Sequence, residues 1–325
     1  MSGISDRLGS RLAVGWLVVV PCTLPSWGQE QIKPEPAIRA PLADRSLLLD
    51  ASVADGSYVA VGDRGHVLVS AEGGSSWQQV DVPTRATLTG VHFQNGELGW
   101  AVGHDAAILR TLDGGSTWDL VHWAPDEESP LLDIWFADAD NGFAVGAYGS
   151  FYRSSDGGAT WTYEPISEWD FHLHQVARAS DERLFMAAEA GVIYRSDDGG
   201  ATWIELPSPY EGSFFGVLPL DPEVVLVFGL QGNLFRSEDG GETWQPIETG
   251  TTAMLTDGIR LGDGTVVIGG LGGMLLTSSD GGSSFDLHPQ PDRRGISALV
   301  ETGNGDLLMV GEFGVKTSPQ ASLQR

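Results

Sequence analysis

The chain has 325 residues, among them 44 glycines, 11 tryptophans and one cysteine; only 19 % are charged, yet the formal net charge is -26. At 41 % hydrophobic residues it is too apolar for a disordered chain, its negative field repels polyphosphate and so excludes nucleic acid as a partner, and a lone cysteine excludes a disulfide framework or a cysteine-based zinc cluster. Glycine at about twice its usual share of ~7 % signals many tight turns and an all-β chain.

Residues 1–28 read as a cleavable export signal. Arg7 and Arg11 give a basic start, 12–20 is an apolar run, and Ser26 and Gly28 place small residues at −3 and −1 of a cut before Gln29. The run is short of the ~20 apolar residues of a membrane span, so an exported, periplasmic protein is expected, with no transmembrane segment in the mature chain. Cleavage discards Asp6, Arg7, Arg11 and the sole cysteine, Cys22, leaving the chain one unit more negative. Residues 29–43 form a proline-bearing lead-in, and 44–325 form one repetitive domain.

One octet recurs through that domain. It begins at Ser70, Thr111, Ser154, Ser196, Ser237 and Ser278 and ends on Trp77, Trp118, Trp161, Trp203, Trp244 and Phe285. Its third position is aspartate in five copies: Asp113, Asp156, Asp198, Asp239 and Asp280. Eight residues before each octet a small residue ends an apolar run: Gly62, Gly103, Gly146, Ala188, Gly229 and Gly270, with Gly311 as a seventh copy that has no octet after it. Within the third unit the pattern predicts strands over 132–136, 143–145, 151–153 and from 161, separated by turns rich in Gly, Asp and Asn. Four-strand units of ~40–50 residues predict a propeller, and seven units predict a seven-bladed ring of four-stranded antiparallel blades. The last unit lacks a fourth strand. Segment 31–40 is expected to supply it, because Pro34 and Pro36 are tolerable on an outer edge.

The octet resembles the Asp-box of the bacterial neuraminidase repeat. Coupled to Gly-Trp-Ala-Val-Gly at 99–103 and Gly-Phe-Ala-Val-Gly at 142–146, it is similar to the photosystem II assembly and stability factor family of seven-bladed propellers. The resemblance spans about 44–318. It implies an exported, non-enzymatic scaffold that binds a membrane or envelope protein. The acidity and proline-rich lead-in resemble family members from bacteria without photosynthesis.

The alternatives are a sialidase-like Asp-box glycosidase and a small-ligand-binding propeller. A sialidase needs converging arginines, but Arg110, Arg153, Arg195 and Arg236 occupy one repeat position on four third strands. They are expected to pack against neighbouring blades, over a tryptophan face as cation–π pairs. The octet carboxylates come one per turn, some forty residues apart in sequence, which suits turn capping and not a shared metal. His172 and His174 lie on one strand face without a third ligand nearby. No catalytic residue, metal or cofactor is expected, and a monomer is.

Binding is expected on the face that carries the turns between second and third strands and the connections between blades. Its candidates are Arg64, His104, Trp123, Tyr148, Trp169, Tyr210, Phe214, Arg293, Arg294 and Phe313, with Glu127 and Glu128 beside them. The axial channel is expected to be lined by Asp50, Gly90, Asp133, Gln175, Gly216, Asp257 and Ala298, with the acids hydrated.

Overall fold

The computed structural model describes residues 33–319. The expected export signal, its cut before Gln29, Cys22 and the first residues of the lead-in lie outside the described residues. Seven antiparallel sheets follow one another around a ring. In blade 1 the strands Leu48–Ala54, Ser57–Gly62, Val67–Ser70 and Gln78–Gln79 pair in sequence order from the axis outward. Blades 2 to 6 repeat this order from inner strands Leu88–Phe93, Leu131–Phe136, Leu173–Arg178, Phe214–Pro219 and Leu255–Arg260. Blade 7 has three strands, Ile296–Glu301, Leu307–Gly311 and Gly314–Ser318. The ring closes where Leu48–Ala54 packs beside Ile296–Glu301.

Burial follows from this stacking. Each second strand is covered on both faces by neighbouring blades, so Gly99–Gly103, Gly142–Gly146, Leu184–Ala188, Val225–Gly229, Val266–Gly270 and Leu307–Gly311 are buried at every position. That is why these strands read as unbroken apolar runs and not as an alternation. The cores lie at the seams between blades. Trp100 of blade 2 is fully buried and stacks on Phe136 of blade 3, and its Nε1 donates to the Gly157 carbonyl at 3.0 Å. The closing seam joins Leu48, Ala60 and Leu68 of blade 1 to Ala298 and Val310 of blade 7, and the Tyr58 hydroxyl accepts the Gly303 amide at 2.8 Å.

The recurring small residue at the end of the second strand has a steric cause. A Cβ at Gly146 would lie 2.3 Å from the Pro130 carbonyl oxygen, and one at Gly103 would lie 2.2 Å from that of Thr87. The connection from the preceding blade passes directly over this position in each unit.

The lead-in differs from the expectation. It does not pair with the last blade. Ala37 donates its amide to the Val82 carbonyl at 3.1 Å, Ala40 bonds the Gln79 side chain at 2.8 Å, and Arg39 pairs with Asp81. These contacts lay 37–40 along the outer edge of blade 1. Only the following turn, Ala43–Arg45, reaches Gly314–Ser318. The lead-in is instead held at the edge of the blade it enters, bonding Gln79, Asp81 and Val82 just before the turn at Ala43–Arg45 feeds Leu48–Ala54.

Candidate functional site

Each inner strand carries a bulge at the same place, at Leu49, Thr89, Leu132, His174, Phe215, Thr256 and Ser297. The bulge turns the next residue toward the axis and the bulged residue toward the neighbouring blade. Where these positions carry aspartate, glutamine, threonine or histidine, the side chains clip one blade to the next. Asp50 Oδ2 accepts the Val91 amide and Asp133 Oδ2 the Val176 amide, both at 2.7 Å; Gln175 Oε1 takes Val217 at 3.0 Å and Asp257 Oδ2 takes Leu299 at 2.8 Å. From the bulges, Thr89 and Thr256 donate to the carbonyls of Leu131 and Ile296, and His174 Nδ1 donates to that of Phe214.

The axial acids are therefore more than hydrated channel walls. Gln175 also donates to Asp257 Oδ1 at 3.1 Å across the axis. Desolvation in the narrow channel raises the Asp133 carboxyl to about 7 and Asp257 to about 6, against backbone bonds that lower both. Asp50 is raised well above the carboxylate range, first by desolvation and then by the Asp133 charge. Gly90, Gly216 and Ala298 complete the ring as small residues. A Cβ at Gly216 would lie 2.1 Å from the Phe228 ring.

On the opposite face the octets close on themselves. Asp156 Oδ1 accepts the Thr160 amide at 2.9 Å and Oδ2 accepts its hydroxyl at 2.6 Å, while Ser154 Oγ donates to Oδ1. Asp113, Asp198, Asp239 and Asp280 repeat the arrangement. These bonds hold Asp156, Asp198, Asp239 and Asp280 at about 2. In the first copy Glu72 replaces aspartate and accepts the Ser76 hydroxyl at 2.9 Å. The indole nitrogens of Trp118 and Trp161 return to the octet glycine carbonyls, that of Trp244 donates to Pro207, and that of Trp203 is buried without a partner.

The four repeated arginines do not converge. Arg153 donates to the Gly200 carbonyl at 2.7 Å, Arg195 to Gly240 at 2.9 Å and Arg236 to Gly281 at 3.2 Å, so each holds the next blade's octet. Arg110 lies beside Gly157 in the same way. The expected stacking over tryptophan is absent among the described residues; Arg153 lies over Phe151 instead. The histidine pair is also split, because His174 is committed to its seam while His172 faces Glu189 at 3.9 Å. No group of three or more metal-ligating side chains occurs among the described residues.

The turns between second and third strands do share a face with the blade connections: the Asp63 amide bonds Leu47, His104 bonds Thr87 and Glu189 bonds His172. Their central residues, Arg64, Asp105, Tyr148, Ala190, Gln231 and Gly272, all have φ between 55° and 66°. Non-glycine side chains in this left-handed region cost energy, and the turn holds them outward. Arg64, His104, Tyr148, Trp169, Arg293 and Arg294 are exposed.

Of the other expected face residues, Phe214 is corrected and three are partly covered. Phe214 is fully buried in the seam between blades 4 and 5. Phe313 packs half-buried on the core between blades 6 and 7, under Lys316. Trp123 is partly covered, with its Nε1 buried. Tyr210 is half-buried, its ring 6.0 Å from Phe214. Two members went unforeseen: Phe171 stacks at 6.2 Å on Trp169, and Glu189 stands beside His172. The cluster of aromatics at 169–172 was the available signal.

No helix among the described residues is long and apolar enough to cross a membrane. The family model described as Photosynthesis system II assembly factor YCF48 matches residues 69–130 and 122–320. A curated relative, Photosystem II assembly protein Ycf48 of Thermosynechococcus vestitus, is 40 % identical over 43 residues, which are 13 % of this chain and only 12 % of that protein. The solved structure "YCF48 bound to D1 peptide" superposes with a TM-score of 0.70 at 18 % identity, covering 88 % of this chain and 94 % of that one. YCF48 from Cyanidioschyzon merolae gives 0.68 at 18 % identity, covering 83 % and 94 %. The WD40 propeller of Doa1 also gives 0.68, at 13 % identity, covering 89 % and 97 %, so likeness at this level establishes the fold alone. The family model, which spans most of the chain, carries the assignment: the chain belongs to the family of photosystem II assembly factor YCF48.

Proposed function

We propose that this protein is an exported, non-enzymatic scaffold that holds an extended segment of a membrane or envelope protein on the face bearing its left-handed turns. The observation that supports this most is that face itself. Repeated turns keep exposed, chemically varied side chains at φ values that disfavour them, while the octet face repeats one self-satisfied design. Backbone strain concentrated where side chains vary is a mark of binding surfaces. The structural relative named for its bound D1 peptide supports a peptide-like ligand. A non-enzymatic role is supported by the arginines, whose guanidinium groups hold Asp-box turns in place.

The test is affinity capture of the exported form from its own cells, with light crosslinking. The expected result is a protein partner enriched by the wild type, retained by Asp198→Asn and lost with Tyr148→Gly. Glycoside turnover, or capture indifferent to the Tyr148 substitution, would overturn the reading.

A further inference from the structure

We infer that the loop face over blades 3 to 5 is a docking shelf for an extended segment bearing arginine or lysine, its cation stacked on Trp169 and its flanks facing Glu189 and Glu211; this rests on the scaffold reading above. Trp169 is 66 % exposed and Tyr148 57 %, the two largest apolar exposures among the aromatic side chains described. Phe171 backs Trp169, and the Tyr148 ring meets His172 edge-on at 5.0 Å. His172 leads to Glu189 at 3.9 Å, and the next turn opens on a depression of about 500 Å³ lined by Ala190, Ser208, Pro209, Tyr210 and Glu211. The aromatic surface and the depression thus form one track across three blades.

Charge selects the occupant. Segments 147–149, 166–172, 189–191 and 207–213 hold Glu168, Asp170, Glu189 and Glu211 and no lysine or arginine. His172 is the one cationic-capable neighbour that any of these carboxylates meets as an ion pair within the described residues. The exposed arginines of the same face, Arg45, Arg64, Arg85, Arg293 and Arg294, sit on blade 1 and on the connections into blades 1, 2 and 7. A rigid indole in a stretch whose acids meet no lysine or arginine suits a guanidinium or ammonium group, which gains both the ring face and a carboxylate. An acidic segment would meet like charge at each step along the track.

The probe is a fluorescein-labelled nonapeptide alternating arginine with alanine, alongside a twin with glutamate for arginine. Binding to the full chain is read by anisotropy. The arginine peptide is expected to bind, and Trp169→Ala to weaken it ~10-fold, a loss of the size expected for one stacked cation. Glu189→Gln with Glu211→Gln, the first keeping an oxygen for the His172 amide, is expected to weaken it similarly. Glu97→Gln with Glu205→Gln, which removes the same charge elsewhere, should leave affinity nearly unchanged. Equal affinity for wild type and Trp169→Ala would overturn the shelf, since the attraction is then the diffuse field of an acidic protein. Preference for the glutamate peptide, lost with Arg294→Ala, would overturn the shelf but leave the scaffold reading standing. Failure of the wild type to bind the arginine peptide while it still captures its cellular partner would do the same.

Discussion

Gly146 and Ala188 occupy equivalent positions, yet one is glycine and the other alanine. At Gly146 a methyl would press on the Pro130 carbonyl at 2.3 Å, whereas the backbone at Ala188, with φ −139° and ψ 177°, accommodates a side chain. Gly146→Ala is therefore expected to destabilise by about 1–3 kcal/mol, as overpacking does, and Ala188→Gly by no more than about 1 kcal/mol in chemical denaturation. Trp118, 6 % exposed and bonded to Gly115, is expected to cost about 3–5 kcal/mol when cut to alanine. The axial acids add a pH dependence whose sign is opposite to that of the octets. Asp133 and Asp257 are raised in the folded state, so the stability they contribute is full below the ordinary value of 3.8 and is lost as pH rises through about 6 to 7. The octet aspartates are lowered, so their contribution is present above 3.8 and lost as pH falls toward about 2. Melting temperature is expected to decline from pH 5 to pH 8, and Asp133→Asn, which keeps an oxygen for the Val176 amide, to flatten that decline. An unchanged slope in the variant would refute the assignment.

At the scale of the element, the turn and the octet show two uses of the same β-hairpin. The octet satisfies its own polar groups and reads clearly in sequence, because its serine, aspartate, glycine and threonine have fixed offsets. The turn between second and third strands has no such signature beyond its glycine. Its central residue varies freely from arginine to tyrosine to glutamine, since the backbone and not the side chain defines it. This freedom carries a cost that glycine would remove. Tyr148→Gly is expected to leave thermal stability unchanged or raise it by up to about 1 kcal/mol, while partner binding falls. A loss of stability with binding intact would mean that Tyr148 packs and does not recognise. The same contrast explains which exposed residues were legible. Arg64, Tyr148 and Trp169 lie in turns and connections that the repeat places on the surface. Phe214 begins an inner strand just before its bulge, and a bulge, being a matter of register with the neighbouring strand, leaves no mark of its own in the sequence. The bulges also hid the clips: the axial acids Asp50 and Asp133 were expected to be hydrated, and His174 was given no role between blades.

For the whole molecule, the seven-fold period was sufficient to read the blade count, the strand order and the missing octet of the last blade. Closure was not legible, because it depends on which edge is free in three dimensions. The lead-in binds blade 1 through exposed contacts, but Ala43 is buried in the closing seam and the Asp44 carbonyl lies close over Gly314. Removal of residues through Arg39 is therefore expected to change the melting temperature little. Removal through Arg45 is expected to lower it sharply, as measured by calorimetry. The net charge of -26 is not required by the propeller architecture. It acts at long range, and its uneven distribution over one face gives the scaffold a direction of approach.

The most direct test of the scaffold claim is site-specific photocrosslinking in the native cell, with a benzophenone amino acid placed in turn at Tyr148, Trp169, Glu72 and Ala201. The account predicts that the first two, on the turn face, crosslink to one protein partner and that the last two, on the octet face, do not. Crosslinks confined to the octet face, or none from Tyr148 and Trp169, would contradict it.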